Sequence, residues 1–276
     1  MKAGNSTGEY ALGSSDAEHE RLIRQAARYA PLTDRLFCEA GIGAGQRVLD
    51  LGSGVGDVAM LAAKLVAPSG EVVGVERDPR SIARARARVA EAGLRNVSFT
   101  QSDVSQIASG KPFDAAVGRL ILEFLPDPVA VLRSVIPLVR PGGVLVFQEP
   151  SWAPALAVAP HLPLWTACAS LVRETLNRSG ANTDIGLALH RIFQEAGLPA
   201  PTMRVEMPLG NGPEFIRRIY DVLCSLLPRI QQLNLYPERL GDFRTLLERL
   251  QLEVSESNAV VPFGVALVGA WSHRPM

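Results

Sequence analysis

The sequence predicts an α/β fold built on a mostly parallel sheet, and two observations carry that expectation. Between Arg47 and Glu149 short apolar runs alternate with helical stretches, a pattern that produces parallel strands covered on both faces. The first apolar run stops in a glycine-rich turn, VLDLGSGVGD, from Val48 to Asp57. Gly52, Gly54 and Gly56 crowd this turn, which residues without a Cβ fill at least cost. A strand therefore hands over to a helix across a ligand-sized gap, where ligands of such sheets sit.

The elements follow in order. Ser15 or Asp16 can cap a helix to about Tyr29, with Leu22, Ile23 and Ala26 as its apolar stripe. Pro31 resets the chain, and a second helix ends at Gly41. Strands are expected at 47–51, 71–76, 97–101, 113–118 and 144–149. The intervening helices run to Val66, from Pro79 to Ala92 and over 128–139. After Pro150 the composition shifts: SWAPALAVAPHLPLW holds three prolines and two tryptophans. A helix from Leu162 to Arg178 and another capped by Asp184 and ending at Gly197 come next. MRVEMPL and VVPFGVALVGAW read as two antiparallel strands, with helices Pro213–Leu227 and Pro237–Glu256 between them.

Composition narrows the function. With 47% hydrophobic and 20% charged residues the chain can bury a substantial core. Lys plus Arg equals Asp plus Glu at 28 each, so no global field draws it to nucleic acid or an anionic membrane. The arginines of the helix after Glu76 (Arg80, Arg84, Arg86, Arg88) and Arg95 beyond it could form an RNA-binding face. Ile82, Ala85 and Val89 share one side, which makes a solvated amphipathic face the plainer account. Cys38, Cys168 and Cys224 lack metal-ligand spacing, no cationic-then-apolar leader opens the chain, and no run approaches the length of a bilayer span, so a cytoplasmic location is expected.

Charge at the glycine turn selects the ligand. A dinucleotide fingerprint, G-x-G-x-x-G/A, needs a small third residue; counting from Gly52, that position is Asp57. Asp50 and Asp57 bracket the turn, and a diphosphate would meet like charge there. The acidic pair suits a cofactor with an amino group or a sulfonium, and S-adenosylmethionine carries both.

VLDLGSGVGD resembles motif I of the class I S-adenosylmethionine-dependent methyltransferases, and further pieces follow in the family's order as far as Glu149: VVGVERD (Val72 to Asp78), VSFTQSDV (Val97 to Val104), FDAAVGRLILEFLPDP and LVRPGGVLVFQEP. The stretch resembles the ubiquinone/menaquinone C-methyltransferase group most. This resemblance implies a Rossmann-like fold with a seven-stranded, mostly parallel sheet and an antiparallel last strand. An N-terminal helical cap (1–43), a cofactor-binding core (44–150) and a remainder (151–276) with a substrate lid near 151–197 and 211–257 are expected. Glu76, twenty residues past Gly56, can accept both ribose hydroxyls. Asp103 sits where the family holds the adenine amino group, although a turn or helix cap suits an Asp equally. Asp50, Gly52, Ser53, Gly54, Gly56, Arg77, Val104 and Arg119 complete the cofactor set; Ser53 could instead fill the turn, and Arg119 could serve a structural ion pair.

The acceptor side is less determined. Methyl transfer from a sulfonium is an in-line displacement whose main requirement is alignment without water, and a base is needed only for a poorly acidic nucleophile. Glu149, Glu123 and His161 are the catalytic candidates by position; His190, inside a helix, suits packing better. Tyr10, Gln25, Tyr29, Glu149 and Trp152 are substrate-side candidates, with core or surface packing as the alternative for Tyr10, Gln25 and Tyr29. The place of the D/N-P-P-Y/F turn of nucleic-acid amine methylating relatives reads GRLILEF, so a small organic acceptor is expected: phenolic, quinonoid or a natural-product scaffold. No metal is expected, and a homodimer is compatible with the sequence. The alternative is a protein of the same fold that binds S-adenosylmethionine without transferring methyl, cyclase-like or regulatory.

Overall fold

A computed structural model describes residues 15–108, 110–235 and 240–276. It opens with α1 (Asp16–Glu39), whose N-cap Ser15 accepts a hydrogen bond from the Glu18 amide at 3.2 Å. The break expected at Pro31 does not occur: α1 runs through it. Proline removes one amide and crowds the preceding turn. Burial of Leu32, Leu36 and Phe37 beyond it holds the second half of the helix in line.

The order then continues β1 (Arg47–Leu51), α2 (Asp57–Val66), β2 (Glu71–Glu76), α3 (Pro79–Glu91), β3 (Val97–Gln101), β4 (Phe113–Arg119), α4 (Pro128–Val135), β5 (Val139–Ser151), α5 (Trp152–Val158), α6 (Pro163–Arg178), α7 (Leu189–Ala196), β6 (Thr202–Glu206), β7 (Leu209–Gly210), α8 (Pro213–Gln232), α9 (Leu246–Glu256), β8 (Val261–Pro262) and β9 (Ala266–His273). Seven strands form one sheet in the order β3-β2-β1-β4-β5-β9-β6, and β9 runs antiparallel to both of its neighbours. Strand order reverses between β1 and β4, which opens a crevice beyond their carboxyl ends. Ala115, Ala116 and Val117 of β4 are all fully buried, as a central strand with two covered faces requires.

Three apolar clusters hold the fold. Val48, Ala59, Ala62, Ile82 and Val146 belong to one that joins α2 and α3 to the sheet. Leu49, Leu51, Leu132, Leu145 and Phe193 belong to a second, with α4 and α7. Alternation along β1 thus places Val48 and Leu49 on opposite faces. The third is helical: Tyr29, Trp165, Leu223, Leu226 and Leu250 gather α1, α6, α8 and α9 into a body over the strand ends. Among the described residues no helix is long and apolar enough to cross a membrane.

Several later elements differ from expectation. Trp152–Val158, for which no element was expected, is a helix; its one proline, Pro154, falls in the first turn, where proline is tolerated. Asp184 does not cap the turn that follows it; its carboxylate takes the Ala153 amide (2.9 Å), the Ser151 hydroxyl (2.8 Å) and Arg173 (2.5 Å), and so caps α5. The helix from Pro213 extends past Leu227 to Gln232, and α9 begins at Leu246 rather than at Pro237, which lies outside the described residues. The last two strand segments each split, and Leu209–Gly210 pairs with Val261–Pro262 in a separate two-stranded ribbon.

Candidate active site

A cavity of about 730 Å³ lies over the carboxyl ends of β1 to β4, with α1, α5, α6 and α8 around it. Its floor is the glycine turn. Gly52, Gly54 and Gly56 have φ of +64°, +50° and +87°, where L residues are strained. A Cβ on Gly52 would lie 2.5 Å from Ile121 Cδ1, and one on Gly56 would lie 3.1 Å from Ala85 and Phe99; one on Gly54 meets nothing within 4 Å. Gly52 and Gly56 are therefore fixed by packing, whereas Gly54 keeps open the space a ligand needs.

Glu76 is locked before any ligand arrives. One carboxylate oxygen accepts from the Gly54 amide at 3.0 Å, the other from the Arg77 and Asp78 amides at 2.8 and 2.9 Å. Its remaining lone pairs face the cavity that it lines. Asp103 also lines the cavity and is oriented by Ser105, whose hydroxyl and amide donate to Oδ1 at 2.6 and 2.9 Å. Those two bonds hold its carboxyl below the usual carboxylate range, so a turn role and a place on the cavity wall coexist in one residue.

Beneath the turn, Asp50 is buried with Oδ2 lacking any partner, and Ser53 Oγ is likewise buried and unpartnered. Burial pushes the Asp50 carboxyl up to about 8, with Arg119 opposing the shift. Asp57 is a different case: Arg88 binds its carboxylate at 2.7 Å. The like-charge barrier to a diphosphate expected from Asp57 is thus largely neutralised within the protein, and the acidity of the floor rests on Glu76, Asp103 and the Asp78 that sequence patterns did not single out.

Arg119 ends β4 and makes no ion pair among the described residues; its Nη1 donates to the Thr33 hydroxyl at 3.0 Å, and Thr33 donates to Gln148 at 2.7 Å. The next residue, Leu120, has φ +54°. A strained non-glycine residue at a strand end that lines the cavity is the kind of local cost that functional sites carry.

A family model described as a methyltransferase domain matches residues 42–197. The chain belongs to this family. Its curated relatives include the aklanonic acid methyltransferase DauC of Streptomyces sp. (strain C5), 32% identical over 141 residues that cover 51% of this chain and 63% of DauC. They also include the ubiquinone/menaquinone C-methyltransferase UbiE of Coxiella burnetii, 34% identical over 119 residues, 41% of this chain and 48% of UbiE. The chain spans less than half the length of the first relatives it matches. Among solved structures, the phosphoethanolamine N-methyltransferase 2 of Haemonchus contortus, bound to S-adenosylhomocysteine, shares the fold with a TM-score of 0.55 at 16% identity, covering 89% of this chain and 53% of that one.

The floor fits the S-adenosylmethionine expected from the sequence: a buried Ser53 oxygen without a partner, and open space where a Gly54 side chain would stand. The cavity wall includes Gly52, Ser53, Gly54, Glu76, Arg77, Asp103, Val104 and Arg119. Asp50 and Gly56 are not part of it; the first lies buried below the wall and the second is the N-cap of α2.

The catalytic candidates separate. His161 is exposed and outside the cavity, because the chain around it forms the turn between α5 and α6 on the surface; His190 is likewise exposed. Glu149 is fully buried and is no wall residue: its oxygens accept from the Ile121, Leu122 and Glu123 amides at 3.1, 3.1 and 3.3 Å. It braces the chain after β4, and burial pushes its carboxyl up to about 7. Glu123 does line the cavity, with its carboxyl raised well above the ordinary value by burial and by Glu149 nearby.

Of the substrate-side candidates, Tyr10 lies outside the described residues. Gln25, Tyr29 and Trp152 line the cavity. The Tyr29 hydroxyl is spent on the Phe263 carbonyl at 2.9 Å, so packing and cavity roles combine there. Sequence patterns missed His19, Arg21, Leu176 and Arg218, which also face it. For Arg218 a signal existed: it stands four residues before Val222, on the edge of the apolar stripe Ile219, Val222, Leu223 and Leu226.

Proposed function

We propose that the protein transfers the methyl group of S-adenosylmethionine to a small, largely apolar organic acceptor of phenolic, quinonoid or natural-product type, held under a helical lid. The observation that carries this is the single cavity shared by two kinds of wall. Gly54, Glu76 and Asp103 line one part; Leu120, Phe124, Trp152, Leu176 and Val222 line another. A polar cofactor and an apolar acceptor can therefore meet inside it.

S-adenosylmethionine, when bound, supplies an electrophilic methyl on a sulfonium. The chain's own residues bind and align. Glu76, already fixed by three backbone amides, accepts the ribose hydroxyls, and Asp103 takes the adenine amino group. Ser53, on the cavity wall, offers its free oxygen to the amino acid end of the cofactor. Charge-assisted bonds of this kind are worth about 1.5–3 kcal/mol each. The lid helices exclude water, which an in-line displacement requires. Glu123, its carboxyl held well above the ordinary value by burial and by Glu149, stands on the cavity wall to hydrogen-bond an acceptor oxygen.

The arginines of α3 support a small-molecule partner over nucleic acid. Arg88 is tied to Asp57, Arg84 to Glu20 and Arg86 to the Phe99 carbonyl, so none of these three heads stands free to meet a phosphate backbone. The names of DauC and UbiE, an aklanonic acid methyltransferase and a ubiquinone/menaquinone biosynthesis C-methyltransferase, point to small-molecule acceptors for those proteins.

The test incubates the protein with methyl-tritiated S-adenosylmethionine and a panel of phenols, quinones and aromatic acids, and counts label extracted into organic solvent. Label in at least one acceptor supports the proposal. Saturable S-adenosylhomocysteine binding with no label in any acceptor would favour the alternative, binding without transfer.

A further inference from the structure

The lid side of the cavity carries an uncompensated cation. Arg218, on α8, lines the cavity, and its Nε and Nη1 are buried without any hydrogen-bond partner. Its Nη2 donates to Gln25 Oε1 at 2.6 Å, and that same oxygen also accepts from Arg21 Nη1 at 2.7 Å. Two guanidinium groups thus converge on one neutral amide oxygen. The nearby carboxylates are engaged elsewhere: Glu18 by Arg21 at 2.5 Å, Asp221 by Arg24 and Arg217 at 3.3 and 3.4 Å. Among the described residues no carboxylate lies within ion-pair distance of Arg218.

Leaving charged donors buried and unsatisfied is costly, and folded proteins keep such groups where a ligand completes them. Burial and the neighbouring Arg21 draw the Arg218 guanidinium down to about 10, so it remains charged at neutral pH. It shares the cavity wall with Gln25, Tyr29, Val222 and Val265 and is carried by α8, whereas Gly54 and Glu76 stand at the strand ends.

We propose that the methyl acceptor carries a carboxylate, which docks on the free donors of Arg218. A planar oxyanion matches guanidinium donors better than a neutral oxygen does. The acceptor is then an apolar, ring-bearing acid whose carboxylate anchors it while another atom faces the methyl donor. This deepens the methyl-transfer proposal and rests on it.

The test measures binding by calorimetry in the presence of saturating S-adenosylhomocysteine. The probes are paired: benzoate, 2-naphthoate and anthraquinone-2-carboxylate, each against its primary amide. The wild-type protein is expected to bind at least one acid about 10- to 100-fold more tightly than its amide, the range of a charged hydrogen bond. Arg218→Gln is expected to erase that ratio while leaving amide binding, S-adenosylhomocysteine affinity and melting temperature near wild type, and Arg218→Lys to keep part of it. No preference for any acid in the wild type, or a preference that survives Arg218→Gln, overturns the carboxylate proposal. Failure to bind S-adenosylhomocysteine at all is a separate outcome and strikes the methyl-transfer proposal instead.

Discussion

The floor and the roof of the cavity are built on opposite plans. On the floor, backbone amides and short side chains satisfy one another before a ligand enters: Glu76 takes three amides, Asp103 takes two donors from Ser105, and Arg88 neutralises Asp57. On the roof the wall is apolar, and Arg218, with its buried unpartnered donors, is joined to Gln25 across 193 residues of sequence. The polar groups of the floor are held by partners within the protein; the roof holds a buried guanidinium whose Nε and Nη1 have none. In the proposed function, cofactor recognition and acceptor recognition fall to these two different parts of one fold.

Substitutions on either side should separate these roles. The largest effect is expected at Gly54→Val, where a side chain fills ligand space and forces a valine into a left-handed conformation costing about 1–2 kcal/mol. S-adenosylhomocysteine affinity should fall more than about 100-fold, roughly 2.8 kcal/mol, by calorimetry; a loss of less than tenfold would break the assignment of the floor. Next, Leu250→Ala opens a cavity in the roof, where Leu250 is fully buried. Denaturant unfolding should show a loss of about 2–4 kcal/mol, with cofactor affinity changed by less than about threefold. If affinity collapses too, floor and roof are not separable.

Glu76→Ala should cost about 1–3 kcal/mol of S-adenosylhomocysteine affinity, and an unchanged isotherm would mean that the ribose lies elsewhere. A pH series sharpens the floor further. Asp50 and Glu149 hold their protons to about pH 8 and 7 in the folded chain, against ordinary values of 3.8 and 4.5. The unfolded chain releases those protons first, so their contribution to stability is complete below about pH 4 and is lost as pH rises through 7 and 8. Melting temperature of the ligand-free protein should therefore drift down by several degrees between pH 5.5 and 8.5, and Asp50→Asn should flatten the upper part of that drift. A melting temperature rising across this window would contradict it. The smallest effect belongs to Arg84→Ala, which removes a part-exposed pair with Glu20 and should change stability by less than about 0.5 kcal/mol.

The same division explains what could be inferred from sequence. The glycine turn, Glu76 and Asp103 are visible because each is the residue at the end of a strand, and alternation of strands and helices brings strand ends together whatever their side chains. The sheet with its antiparallel β9 was legible for that reason. Asp57 misled, because its partner Arg88 lies 31 residues away on the adjoining helix. Glu149 was placed correctly at a strand end, yet its orientation toward the Ile121–Glu123 amides is a tertiary fact. Pro31 looked like a break and is accommodated by burial of the helix on both sides of it. The roof was recognisable as extra helical length, but which face of α8 meets α1 depends on packing that no local pattern encodes.

The central claim is that the floor accepts an adenosyl-sulfur compound. Calorimetric titration of the wild-type protein with S-adenosylhomocysteine and, separately, with NADH tests it most directly. A saturable one-to-one isotherm with S-adenosylhomocysteine and no heat with NADH is the predicted result; a clear NADH isotherm beside silence from S-adenosylhomocysteine would contradict the account.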